Sequence, residues 1–159
     1  MHERRAPAAE AGLFEGRPYV LTGSDHPAVP EFREWLQRIG AVIVDMSPEE
    51  HDRTVAFTSH LPQLLSTTLA ATLQATGSPK VFGPGLIDMT RLALSSPDVW
   101  MSVLETNASE VDAALGAFEQ TLTELRTRLR TGQVMELFER GSELAARIRQ
   151  NPDEISIKK

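Results

Sequence analysis

The apolar positions change period along the chain. Tyr19-Val20-Leu21-Thr22 is a short aromatic and β-branched run that predicts a strand. Phe32, Trp35, Leu36 and Ile39 then follow helical spacing, and Gly40 stops that helix. AVIVDM, residues 41–46, is a nearly unbroken apolar run and predicts a strand buried on both faces. Strand, helix and strand within about 30 residues form a βαβ unit, the trailing edge of an α/β domain. Two strands do not make a stable sheet alone, so residues 1–46 read as a remnant, opening with a loose arm over residues 1–12.

After residue 46 the period becomes helical throughout. Ser47-Pro48-Glu49-Glu50 is a helix start, with Ser as cap and Pro at the first helical position. The helix is expected to run to about Ala75 and to stop at Gly77-Ser78-Pro79. GSPKVFGPG reads as loop, residues 88–94 as a short helix, and Ser96-Pro97-Asp98 as the start of another that turns Val99, Trp100, Val103 and Leu104 inward. Asn107, with Glu110 three residues on, is expected to cap a long helix. There Val111, Leu115, Phe118, Leu122, Leu125 and Leu129 are spaced 4, 3, 4, 3 and 4, a heptad seam that calls for a partner helix from this chain or a second copy. Gly132 ends it. A last helix over 133–150 carries Val134, Leu137, Phe138, Leu144 and Ile148, and residues 151–159 form a tail. The expected class is mainly α: a helical domain over 47–150 preceded by a short βαβ remnant.

Composition narrows the function classes. A net charge of −6 without a basic run argues against a nucleic-acid surface. The absence of cysteine removes disulfides, thiolate metal sites and a Cys nucleophile, and fits a reducing cytoplasm. No apolar run reaches the roughly 18 residues of a membrane span, and the N-terminus has no signal-like apolar region.

Two stretches carry candidate chemistry. In HDRTVAFTSHLPQ, residues 51–63, a helix puts positions 52, 56, 59, 60 and 63 on one broad face, so Asp52, Ser59, His60 and Gln63 form a polar patch. Pro62 cannot donate to the carbonyl of Thr58, which predicts a kink with polar atoms at its concave side. His51 lies about half a rotation from His60 on a straight helix, which disfavours a shared metal site. His60 is either part of a site or a core histidine satisfied by a neighbouring hydroxyl or carbonyl. In GPGLIDMTR, residues 83–91, two glycines around a proline predict a tight loop, with Asp88 capping the next helix and Arg91 paired with it. That arrangement suits a substrate carboxylate; a structural ion pair is the alternative.

Taken together, HDRTVAFTSHLPQLLSTTLA and GPGLIDMTRLALSSPDVWMSVLETN resemble the two signatures of the helical domain of prephenate and arogenate dehydrogenases. LFEGRPYVLT and IGAVIVDMSPEEHD resemble the end of the same family's Rossmann-type nucleotide-binding domain. The resemblance spans about residues 10–130. It implies NAD(P)-dependent oxidative decarboxylation on the route to tyrosine, a homodimer built by the helical domain, and a small dicarboxylate substrate. It further implies that Arg91 contacts a substrate carboxylate, that Asp88 positions it, and that Ser59, His60 and Gln63 line the pocket. Many relatives carry histidine where Gln63 stands, which leaves prephenate against arogenate undecided. The family's G-x-G-x-x-G turn and its His-Pro base belong upstream of LFEG; Asp25-His26-Pro27 lies downstream and reads as a helix-entry loop. The chain alone is therefore expected to bind neither NAD nor NADP, to hold no metal and no catalytic base, and to need a nucleotide-binding partner in trans. The alternatives are a non-redox dimeric binding or regulatory module, and a cofactor-free enzyme acting on a related acid.

Overall fold

The computed structural model describes residues 12–23, 26–77 and 79–150; nearly all of the expected N-terminal arm, Asp25 of the His-Pro stretch and the expected tail lie outside them. Contacts divide the chain into two compact units, the described parts of residues 1–48 with 135–159, and residues 49–134.

In the first unit, strand β1 (Pro18–Thr22) and strand β2 (Val42–Met46) pair in parallel, Pro18 opposite Val42 and Thr22 opposite Met46. The crossover is helix α1 (Val29–Arg38). Its entry is fixed by His26, whose Nδ1 accepts from the Ala28 N–H at 3.2 Å, as expected of a helix-entry loop. Leu36 is its fully buried anchor, while Phe32 and Trp35 stack on each other at 6.0 Å and stay partly exposed. The helix stops at Gly40, where φ is +82° and an added Cβ would stand 3.1 Å from Glu15 Cα, so only glycine fits without strain. The Arg33 guanidinium grips Asp45 of β2 through two bonds, of 3.0 and 2.5 Å. β2 is half-buried rather than buried on both faces, because a two-stranded sheet leaves its outer surface uncovered. The last helix, α7, spans Met135–Gln150 and buries none of its residues fully.

The second unit is helical. Helix α2 (Pro48–Val55) begins directly after Ser47, with Glu49 and Glu50 in its first turn, where acidic side chains suit the helix dipole. The chain then passes through a π turn, Ala56–His60, into helix α3 (Leu61–Ala75). The expected kink at Pro62 thus takes a specific form. The Leu61 N–H reaches back five residues to the Ala56 carbonyl, and Pro62 sits in the first turn of α3, where its missing N–H is harmless.

Helix α4 runs Pro84–Thr90, followed by a 3₁₀ turn, Arg91–Leu94. Two expectations fail here. Asp88 lies inside α4 and caps nothing, because Pro84 starts the helix one turn earlier. The tight loop expected around Gly83-Pro84-Gly85 is instead a helix start: Gly83 is extended before Pro84 and Gly85 is already in α4, neither with positive φ. Helix α5 (Pro97–Thr106) and helix α6 (Ala108–Thr131) complete the unit, and Gly132 in the left-handed conformation ends α6. The core is small: Ala56, Val111 and Ala114, with Leu61, Leu64 and Leu104 packed around them. The π turn and the start of α6 therefore close on each other through residues small enough to let backbones approach. No helix of the described residues is long and apolar enough to cross a membrane.

Candidate functional site

The π turn places His60 inside the second unit, 7% exposed. Trp100 of α5 meets its ring edge-on at 5.9 Å. Asn107, the residue between α5 and α6, contacts His60 Nδ1 through its Nδ2 at 3.3 Å and donates to the Asp52 carbonyl at 2.8 Å. Asn107 occupies the position before α6, but its side chain makes no capping bond; the expected capping box with Glu110 is not formed, because the amide is drawn to α2 and the π turn. Burial holds the His60 imidazole below the usual histidine range, opposed by Asp52 and reinforced by His51, so the ring is neutral at pH 7. His51 and Asp52 bond to each other at 3.0 Å. Among the described residues no group of three or more His, Cys, Asp or Glu is placed to hold a metal.

Gln63, 6% exposed, donates from Nε2 to the Leu92 carbonyl at 2.8 Å and lies 3.3 Å from Thr67 Oγ1. One turn on, buried Ser66 accepts from the Ala93 N–H at 3.0 Å. These two bonds stitch the 3₁₀ turn to α3 and thereby position Arg91. The turn also flanks an open pocket of about 530 Å³ whose lining includes Ala70, Leu73, Phe82, Ile87, Leu94 and Arg91. Its walls are otherwise mostly apolar, with Gln74 and Thr90 as uncharged polar members, so the guanidinium is the charged group available to an organic acid entering there.

The predicted site residues thus fall into two places. His60 and Gln63 are buried at the π turn and the first turns of α3. Arg91 borders the pocket that begins further along α3 at Ala70, and Gln63 links the two places by bonding the carbonyl of Leu92, the residue after Arg91. Ser59 and Asp88 are exposed and do not line that pocket. Arg91 and Asp88 form no ion pair among the described residues; Asp88 lies within the body of α4. Asn107, Trp100 and Ser66 escape a reading of the sequence, since their partners are 27 to 55 positions away. The Asn107 position did carry one signal, a strong polar residue between two helical patterns, but capping explained it locally.

Residues 47–141 match the family model described as prephenate dehydrogenase, dimerization domain. The chain belongs to that family. It is 29% identical over 147 residues to the prephenate dehydrogenase of Bacillus subtilis, covering 86% of this chain and 39% of the relative. It is 30% identical to the cyclohexadienyl dehydrogenase of Zymomonas mobilis over 131 residues, 77% of this chain and 45% of that protein. Among solved structures it resembles A. aeolicus prephenate dehydrogenase in complex with hydroxyphenyl propionate and NAD+ (TM-score 0.75, 28% identity), covering 87% of this chain and 51% of that one. The Synechocystis arogenate dehydrogenase is similar over 91% of this chain and 54% of its own, with a TM-score of 0.68 and 26% identity. The chain therefore spans about two-fifths to a half of the relatives it matches.

NAD+ in the A. aeolicus complex raises the question of which residues here fit a dinucleotide. A pyrophosphate cradle needs the glycine turn after a strand. Here β1 is followed by Gly23-Ser24-Asp25-His26-Pro27, and Gly83-Pro84-Gly85 meets Asp88 where a third glycine would stand. These residues do not fit that group.

Proposed function

We propose that this chain is the helical, substrate-binding and dimer-forming part of a prephenate or arogenate dehydrogenase. The reaction would be oxidative decarboxylation of a cyclohexadienol acid, with NAD or NADP held by a nucleotide-binding Rossmann portion supplied in cis or in trans. The observation that carries this reading is the joint match of residues 47–141 to the family's helical domain and of 87% of the chain to the A. aeolicus enzyme. In it, Arg91 receives a substrate carboxylate, a role suited to an exposed guanidinium on a mostly apolar pocket. His60 and Gln63 supply neutral polar contacts, Ser59 stands beside His60 on the π turn, Asp88 lies one helical turn before Arg91, and the protein forms a homodimer in the cytoplasm.

The test pairs the purified chain with a separately produced nucleotide-binding half of a relative. NADH or NADPH should form only when both are present with prephenate or arogenate, and calorimetry should register hydroxyphenyl propionate binding to the assembled pair. No reduction with either acid in any pairing, together with no heat of binding, overturns the proposal.

A further inference from the structure

The hydrogen bonds around Asn107 fix a proton that no crystallographic map at ordinary resolution would display. A backbone carbonyl only accepts. The Asn107 atom 2.8 Å from the Asp52 carbonyl is therefore the NH2 group, which settles the orientation of the amide. The same nitrogen stands 3.3 Å from His60 Nδ1 with its second hydrogen still to place. Two N–H groups cannot bond to each other, so Nδ1 must be the bare, accepting nitrogen. In the neutral ring the proton then sits on Nε2. Nε2 has no hydrogen-bond partner among the described residues, yet no buried side-chain nitrogen or oxygen there lacks one. Nε2 therefore lies where solvent, or a ligand, reaches it. Trp100, edge-on at 5.9 Å, limits rotation of the ring.

We propose that Asn107 is a positioning residue that locks His60 as the Nε2–H tautomer, presenting a neutral hydrogen-bond donor to an oxygen of the bound acid. The donor role toward an acid rests on the function proposed above; the tautomer does not. The lock also ties α2, the π turn and the α5–α6 junction to one amide, so the donor is aimed by three elements at once.

Nitrogen-15 NMR of the histidine-labelled chain reads the tautomer directly. Above pH 7 the unliganded protein should give His60 a pyrrole-type Nε2 and a pyridine-type Nδ1. Asn107→Asp, nearly isosteric but accepting at both oxygens, should reverse the two. A protonated Nδ1 or an averaged pair of signals in the unaltered chain overturns the proposal, and so does a folded Asn107→Asp protein with unchanged signals. Should that variant not fold, the unaltered chain's spectrum still decides the case. In the assembled pair, hydroxyphenyl propionate should shift Nε2 and leave Nδ1 in place; binding without that shift overturns the donor role. Absence of binding by calorimetry refutes the functional reading and the donor role with it, and is told apart because the tautomer is read without ligand.

Discussion

His60 is buried yet neutral, and that combination makes its contribution to stability depend on pH. Burial holds the folded group below the ordinary histidine value of 6.5, whereas the unfolded chain restores that value. Above about pH 6.5 neither state binds a proton there and the contribution is complete. As pH falls below it, the unfolded state binds first, and stability is lost until the folded group titrates as well. Thermal unfolding of the unaltered chain should therefore drop more between pH 7 and pH 5 than that of His60→Gln; parallel curves would refute this account. Gln63 presents a different balance. Its Nε2 satisfies the Leu92 carbonyl, and Gln63→Leu would strand that acceptor at a cost of about 1–3 kcal/mol. A urea midpoint lowered at constant slope is the expected result. For Arg91, loss of a charge-assisted bond of about 1.5–3 kcal/mol weakens an acid ligand by roughly tenfold or more. Arg91→Ala in the assembled pair should raise the calorimetric Kd for hydroxyphenyl propionate by at least that factor while leaving the melting temperature unchanged.

At the scale of elements, each helix end is an independent small contribution that can be checked alone. Gly132 holds φ at +73°, and nothing lies within 4 Å of where a methyl group would stand, so Gly132→Ala is opposed by backbone strain and not by crowding. The expected loss is roughly 1 kcal/mol in a denaturant titration, and a neutral result would mean α6 ends elsewhere in solution. Local rules of this kind are why so much of the fold could be read in advance. The βαβ order, the helix after Ser47, the stop at Gly132 and the run of helices all follow from period, proline and glycine. What resisted reading was tertiary. Pro62 announced a disturbance, but whether the backbone would kink or widen into a π turn depended on Ala56 packing against Val111 and Ala114, more than fifty positions later. Asn107 looked like a cap because capping is the local use of asparagine, and its actual partners come from α2 and the π turn. Of the candidate site, the residue types in both motifs were legible. Their separation into a buried histidine cluster and an arginine-edged pocket was not, since it depends on how the 3₁₀ turn is pinned by Gln63 and Ser66.

For the molecule as a whole, the heptad seam of α6 is the feature that one copy leaves unfinished. Its first turns are covered from within: Val111 and neighbouring Ala114 are buried against the π turn. Along the helix the cover falls away, and Leu115, Leu122 and Leu129 are 37%, 45% and 61% exposed. Burying apolar surface is favourable by about 25 cal/mol per Å², so a regular leucine stripe left to water favours association. The matched family domain carries dimerization in its description, and a seam of this spacing packs along a second helix at a shallow angle. Leu122, central in the stripe, separates association from folding because it has little to lose within its own copy. Leu122→Asp places a carboxylate where a partner helix would have to desolvate it, a penalty of several kcal/mol that the protomer itself escapes. Light scattering should then report half the mass of the unaltered protein, with the helical signal in circular dichroism retained. An unchanged mass would remove α6 from the interface, whereas a halved mass with lost helicity would mean that the seam belongs to the core of a single copy.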